Sequence, residues 1–376
     1  MRARPAGDAA LLVQADDLAG RMAAAIMSQR FPGVLDVIPG ARTVLVTTEP
    51  GRLDLAELAA RVLALPLPAA GAGGAALAEF PVVYDGPDLA DVARLTGLAV
   101  DEVIARHAAA EYTVGWMGFS PGFGYLTGLD PALAAVPRLA EPRLRVPAGT
   151  VAIAGGLAAV YSSASPGGWR MLGRTSAVLW DPERDPPAVL TPGTRVRFRP
   201  VDALPPDGLH DRGGLVTYSA PNQQAGESVI EVIRPGPLAT VQDLGRPGLG
   251  HLGVPHSGAA DAASRRLANR LVGNPESAAG LELTLGRAVL RFAVPARVAV
   301  TGAPAAITVS AGPDSAPGSA PGGGAARGVR HGSAFWVPAG GQVQVGAPDA
   351  GLRCYVAVRG GVGVPPVLGS RSTDLR

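Results

Sequence analysis

Hydrophobic and polar positions along the chain change period three times. Over residues 8–65, short apolar runs alternate with amphipathic segments: AALLVQA, VLDVIPG and TVLVTTE read as strands. DLAGRMAAAIMSQR and LDLAELAARVLAL, the second opening at Asp54, carry apolar residues three and four apart and read as helices. That β-α-β-β-α order predicts a small α/β module with helices on one face of an antiparallel sheet, over residues 1–78. Two further helices are expected at LADVARLTG and DEVIARHAAA. From Thr113 to Pro200 the pattern becomes all-β, ending in TRVRFRP, where Val196 and Phe198 alternate with arginines. Residues 201–228 are polar and rich in Pro and Gly, and read as a linker between modules. Beyond it, strands are expected at VIEVIRPG, ATVQDLG, LELTLG, AVLRFAV, ARVAVTG, AAITVSA, AFWVPAG, QVQVGA and LRCYVAVRG. One helix, DAASRRLANRLV, interrupts them, with Gly273 just past its end. Residues 312–328 are low in complexity and read as a mobile loop.

Composition narrows the chemistry. The chain has 376 residues, 33 basic and 31 acidic, and no basic residue is a lysine. Lysine Schiff bases, a lysine general base and a Walker-type phosphate lysine are therefore excluded, and arginine or backbone N–H groups must hold any anion. The basic residues are dispersed, which argues against nucleic acid. The uncharged run from Val62 is broken by Pro and Gly, so no membrane span is expected, and a cytoplasmic location follows. One cysteine, Cys354, rules out a disulfide framework and reads as a core thiol. Five histidines without ligand spacing give no metal site.

Two Gly/Pro-dense blocks stand out. The first holds GFSPGFGYLTGLDP, RLRVPAGTVAIAGG and SPGGWRMLGRT; the second holds RPGPLATVQDLGRPGLGHLGVPHSGAAD and LANRLVGNPESAAGLELTLG. In the first, Phe119, Phe123 and Tyr125 offer a substrate-facing wall or a packed corner. Arg143 and Arg145, two apart on a strand, offer an anion site with the N–H groups of Gly149, Gly155 and Gly156. Ser165 stands before a tight turn and lacks a nucleophile motif; Trp169 and Arg174 follow it, on opposite faces of a regular strand. In the second, Gln242, Asp243, Arg246, Asp261 and Glu282 form the richer polar set. Each has a structural alternative: Asp261 as a helix cap, Asp243 and Arg246 as turn braces, Glu282 facing solvent.

These motifs resemble the B component of 5-oxoprolinase (also known as allophanate hydrolase subunit 1 or kinase A inhibitor) in the first half and its C component (allophanate hydrolase subunit 2) in the second. Together they are similar to the carboxyltransferase region of urea amidolyase. The resemblance implies a mainly β protein with cyclophilin-like β-barrels at 79–200 and 229–376. It also implies an incomplete second barrel, since the family's second module continues past SRSTDLR. For function it implies a component of ATP-dependent 5-oxoprolinase, with ATP and Mg²⁺ as cofactors. The implied partner is a protein like the A component of 5-oxoprolinase, and there is room for a homo-oligomer. A lactam is a poor electrophile; phosphorylating its carbonyl oxygen creates a group that water can displace. The implied catalytic carboxylates are Asp243, Asp261 and Glu282. The implied substrate or nucleotide contacts are Tyr125, Arg145, Ser165, Trp169, Arg174 and Arg246. His256 falls where relatives vary, and Leu157 and Ala158 replace the Gln-Thr of many relatives, removing donors there. The alternatives are a urea carboxyltransferase, whose biotin a partner must bring, and a regulatory module of the kinase-inhibitor type.

Overall fold

The computed structural model describes residues 1–68, 76–118, 120–204, 229–311 and 326–375. Most of the expected linker and of the low-complexity loop, and Phe119, lie outside the described residues. The chain divides into two compact units: one runs from the N-terminus past residue 200 and takes in Pro247–Pro255, and the other holds the remainder of the second half.

In the first unit, β1 (Arg2–Pro5), β2 (Ala10–Gln14), β3 (Val34–Pro39) and β4 (Thr43–Thr48) form an antiparallel sheet in the order β1-β2-β4-β3. Helices α1 (Ala19–Gln29) and α2 (Leu55–Leu63) pack through one apolar cluster: Leu11, Val13, Val44 and Val46 meet Met22, Ile26, Leu58 and Val62. Asp54 caps α2 by accepting from the N–H of Ala56 at 2.7 Å. The α/β module is thus as expected, with β1 added.

The remaining strands of this unit are β5 (Leu77–Val82), β6 (Tyr112–Met117), β7 (Gly124–Thr127), β8 (Arg143–Val146), β9 (Thr150–Ala154), β10 (Leu157–Val160), β11 (Ser165–Gly167), β12 (Arg170–Arg174) and β13 (Arg195–Pro200). Helices α3 (Leu89–Thr96) and α4 (Val100–Ala109) lie between β5 and β6. Seven strands form one sheet, β12-β9-β10-β7-β6-β13-β5, antiparallel except for the β5–β13 pair. Its two edges meet: Val83, just past β5, and Arg174 of β12 exchange N–H···O bonds of 3.0 and 2.9 Å. The sheet therefore closes into the expected barrel. The alternation of β9 shows the wall's two faces. Val151 and Ile153 enter the barrel core, while Ala152 and Ala154 pack outward against Val146 of the two-stranded β8–β11 sheet.

The second unit contains β14 (Ile230–Arg234), β15 (Leu238–Gln242), α5 (Ala262–Val272), β16 (Gly280–Thr284), β17 (Ala288–Phe292), β18 (Ala296–Gly302), β19 (Ala305–Ser310), β20 (Arg327–Val329), β21 (Ala334–Val337), β22 (Gln342–Pro348) and β23 (Arg353–Val358). The strands form two five-stranded sheets, β14-β17-β22-β19-β20 and β15-β16-β23-β18-β21, around one apolar core. Cys354 is fully buried in that core, and burial raises its thiol pKa, as suits a packing residue. Helix α5 covers the other face of the second sheet, where Ala268 and Val272 pack on Ala299, Tyr355 and Ala357.

Candidate functional site

Two clusters collect the residues singled out above. On the outer wall of the first barrel, Tyr125 and Trp169 come together, with ring centroids 5.8 Å apart. Phe123 meets Tyr125, Tyr161 and Trp169 edge-on at 5.2, 5.3 and 6.2 Å. Trp169, Tyr161 and Phe123 are buried, and they knit the two-stranded β8–β11 sheet to the wall. Tyr125 is half-buried and stacks on half-buried Trp116 at 5.0 Å. The part of this cluster that faces outward is therefore the Trp116–Tyr125 pair, and sequence reasoning missed Trp116. Its partner Tyr125 is nine residues on, across the β6–β7 hairpin. Three serines also gather here: Ser120 Oγ lies 3.2 Å from Ser162 Oγ and 3.4 Å from Ser163 Oγ. Ser162 donates to the Pro121 carbonyl. Ser165 lies on β11 opposite Val146.

The arginines of this block are mostly in ion pairs. Arg143 reaches Asp88 at 2.8 Å, Arg170 reaches Asp91 at 2.7 Å and Arg174 reaches Asp85 at 2.8 Å. Asp88 also accepts from the Met171 N–H. This ladder ties the segment after β5 to β8 and β12. Arg145 is exposed on β8. The glycine N–H groups expected to face an anion are largely engaged: Gly149 donates to the Tyr161 carbonyl and Gly155 to that of Val136.

In the second unit, Asp243 is buried at the end of β15. One carboxylate oxygen accepts from the Gly245 N–H at 2.8 Å, Ser370 Oγ at 2.6 Å and Ser372 Oγ at 2.5 Å; the other accepts from the Arg371 N–H at 2.6 Å. Burial raises its pKa, but the hydrogen bonds from Ser370, Ser372, Arg371 and Gly245 outweigh this and leave it below the usual aspartate value. Arg246 donates to the Ser372 carbonyl, and Gln242 to that of Thr373. The SRST segment at residues 370–373 is thus strapped to the end of β15. Nothing in the spacing of the SRST motif predicts this role.

Arg265 of α5, also missed, is fully buried and donates to the carbonyls of Gln242 and Ala278. Burial pulls its pKa down to about 10. Its guanidinium lies against Gly280, where a Cβ would stand 2.4 Å from Nη2 and 2.6 Å from the Val356 carbonyl oxygen; the backbone contact requires glycine there. Among the described residues, Gln242 Oε1, Arg246 Nε and Arg265 Nη1 are buried without a protein partner, and these three orphans belong to one network. Buried polar atoms of this kind are ordinarily met by water or a ligand.

Glu282 does not face solvent. It is buried beneath α5, accepting from the Tyr355 hydroxyl at 2.9 Å and the Ala260 N–H at 2.8 Å, with Arg353 Nε at 3.2 Å. Tyr355 in turn accepts from the Asp261 N–H at 2.7 Å. Burial raises the Tyr355 pKa, so it remains a phenol. Asp261 itself is exposed and caps α5, accepting from Ser264 N–H and Oγ. Those bonds hold its pKa low. His256 is exposed against the Leu244 carbonyl. His251 falls in the segment that belongs to the first unit, where the Gly250 N–H donates to Asp36 at 2.7 Å.

Among the described residues, no three His, Cys, Asp or Glu side chains converge as metal ligands, and no helix is long and apolar enough to cross a membrane.

Comparison with known proteins follows the same division. Residues 1–190 match the model for the carboxyltransferase domain, subdomains C and D, and residues 252–376 match that for its subdomains A and B. The crystal structure of TTHA0988 is 34% identical, superposes with a TM-score of 0.79, and aligns over 97% of this chain and 71% of its own. The 5-oxoprolinase B component of Escherichia coli O157:H7 is 52% identical over 125 residues, 32% of this chain and 57% of that protein. The C component of Escherichia coli K12 is 38% identical over 148 residues, 39% and 43% of the two chains. Urea amidolyase of Lachancea kluyveri is 39% identical over 145 residues, 38% of this chain and 7% of that one. The chain spans about half the length of the two 5-oxoprolinase components it matches. With one half matching subdomains C and D and the other subdomains A and B, the chain belongs to the carboxyltransferase domain family.

Proposed function

We propose that this chain is a component of an ATP-dependent 5-oxoprolinase, opening 5-oxo-L-proline to L-glutamate together with a partner of the A-component type. One observation carries the reading: a single chain matches proteins named as the B and as the C component of that enzyme. The half-exposed Trp116–Tyr125 stack supplies a flat apolar wall for a small ring, and Arg145 a charge for its carboxylate. Trp169 packs behind it against Tyr125, and Ser165 and Arg174 are further candidate contacts of the same block.

Of the three carboxylates, Asp261 is exposed and open to substrate. Asp243 and Glu282, saturated by internal donors, act as positioning residues that fix the β15 end and the turn before α5. Arg246 acts beside Asp243 through the same strap. Because Asp243 and Glu282 are so engaged, the described residues do not fit as a Mg²⁺ cage. ATP and Mg²⁺ stay in the reading as requirements of the assembled enzyme, with no ligand assigned in this chain.

The test is glutamate release from 5-oxoproline and ATP, with and without the A-component protein. Turnover should require the partner. Asp261→Asn should lower kcat on the order of a hundredfold with little change in KM, as expected when a proton-transferring group is lost. Absence of glutamate from the complete mixture overturns the reading. A urea carboxyltransferase is the second reading, favoured by the 39% identity to urea amidolyase. Carboxyl transfer to urea from a biotinylated partner, without glutamate formation, would select it.

A further inference from the structure

We propose that a groove on the second unit binds a small molecule through an oxyanion, carboxylate or phosphate. The groove has a volume of about 450 Å³, within the range of small-ligand sites. It lies where the turn between β14 and β15, the turn between β16 and β17, and β22 converge. Arg234 and Arg287 form its charged wall, Gln344 adds a side-chain amide, and Gly236 and Gly346 line it with backbone. No acidic residue lines it.

Three features make this a built site. Arg234 Nε donates to the Arg287 carbonyl at 3.0 Å, which fixes one guanidinium beside the residue that carries the other. Among the described residues, neither guanidinium has a carboxylate within 4.0 Å, whereas Arg143, Arg170 and Arg174 of the first unit each have one. Two adjacent like charges without a counter-charge create a positive field that an anion relieves. Finally, the floor is backbone against backbone: a Cβ on Gly236 would lie 2.1 Å from the Gly286 carbonyl oxygen, and one on Gly286 2.0 Å from that of Gly346. Side chains are thereby excluded where the three segments meet. The planar guanidinium fork pairs with two oxygens of a carboxylate or phosphate. The groove shares no residue with the Asp243 network, so this inference stands apart from the 5-oxoprolinase reading.

Calorimetric titration of the intact chain at low salt, with inorganic phosphate, ATP and L-glutamate as separate probes, tests it. Saturable binding of phosphate or ATP identifies a phosphate site, and binding of glutamate a carboxylate site. Either should weaken at least tenfold in Arg234→Gln and in Arg287→Gln, and vanish in the double variant. Both side chains are exposed, so thermal melting should show the variants folded. Arg359→Gln, an exposed arginine outside the groove, should leave binding unchanged. The inference is overturned if no probe saturates at concentrations on the order of 10 mM. It also falls if the folded double variant still binds, or if Arg359→Gln weakens binding equally.

Discussion

In the first unit Arg143, Arg170 and Arg174 each meet an aspartate of a short ladder, Asp88, Asp91 and Asp85, at or near the surface. In the second unit Arg246 and Arg265 are buried and donate to carbonyl oxygens, while Asp243 accepts only from hydroxyls and N–H groups. The ladder uses charge against charge, screened by water at Arg174–Asp85 and partly withdrawn from it at Asp88 and Arg170. The second network uses charge against fixed dipoles in the buried interior. Exposed ion pairs contribute little, and buried charges held by several hydrogen bonds are costly to disturb. The same residue types therefore differ in weight by where they sit, and the second network is where substitution should tell most.

The largest effect is expected at Asp243. Asp243→Ala removes the acceptor for four hydrogen bonds and releases residues 370–373, and should cost about 3–4 kcal/mol in urea unfolding. A loss no greater than that of Asp85→Ala would break the comparison.

Next comes a pH effect inside the first barrel. His107 is fully buried, bonded through Nδ1 to the Tyr84 hydroxyl at 2.8 Å, and stacked on Phe198 at 4.9 Å. Burial lowers its pKa from 6.5 to about 3. Above pH 6.5 the ring is neutral in both folded and unfolded chains, and its contribution is fully present. Below that value the unfolded chain takes up the proton first, so stability should fall by roughly 1.4 kcal/mol per pH unit until pH approaches 3. His107→Gln should flatten this part of a stability-against-pH curve; an unchanged slope would refute the assignment. Asp243 adds its own loss only lower, as pH falls below the ordinary 3.8 through its depressed native value.

Arg143→Ala should cost about 1–2 kcal/mol, because its partner Asp88 has a side chain only 7% exposed and would be left with one fewer donor. Arg174→Ala, with both partners about half exposed, should cost no more than about 0.5 kcal/mol by thermal melting. Equal losses for these two would show that burial is not what separates them.

Local signals carried much of the fold. Asp54 at the head of α2 and Gly273 at the end of α5 mark their helices within a few residues, and the alternation in TRVRFRP places Val196 and Phe198 in the core. What escaped depends on partners distant in the chain. Strand β5 is stabilised by pairing with β13, and β20 by pairing with β19 across a low-complexity stretch. For Glu282, which opposes the leucines, the sequence supports two readings, a catalytic carboxylate and a solvent-facing side chain, and neither foresees its burial. In the fold that second face is covered by α5, so the residue is buried. Asp243, Asp261 and Glu282 were grouped as one set. The structure instead joins Asp243 to Ser370, Ser372 and Arg371, and Glu282 to Tyr355, with Asp261 linked to Tyr355 through its backbone N–H. Spacing in sequence cannot reveal a strap that begins more than 120 residues later.

The parallel pairing of β5 with β13 has a consequence for how the protein is made. Strand β5 leaves the ribosome well before its partner, about 118 residues ahead. At roughly 5–20 residues per second, that is a wait of roughly 6–24 s. The N-terminal α/β sheet can pair fully in that interval, but the neighbouring barrel cannot close. For those seconds the nascent chain carries an apolar strand without its mate, at the stage when a chaperone would be of most use.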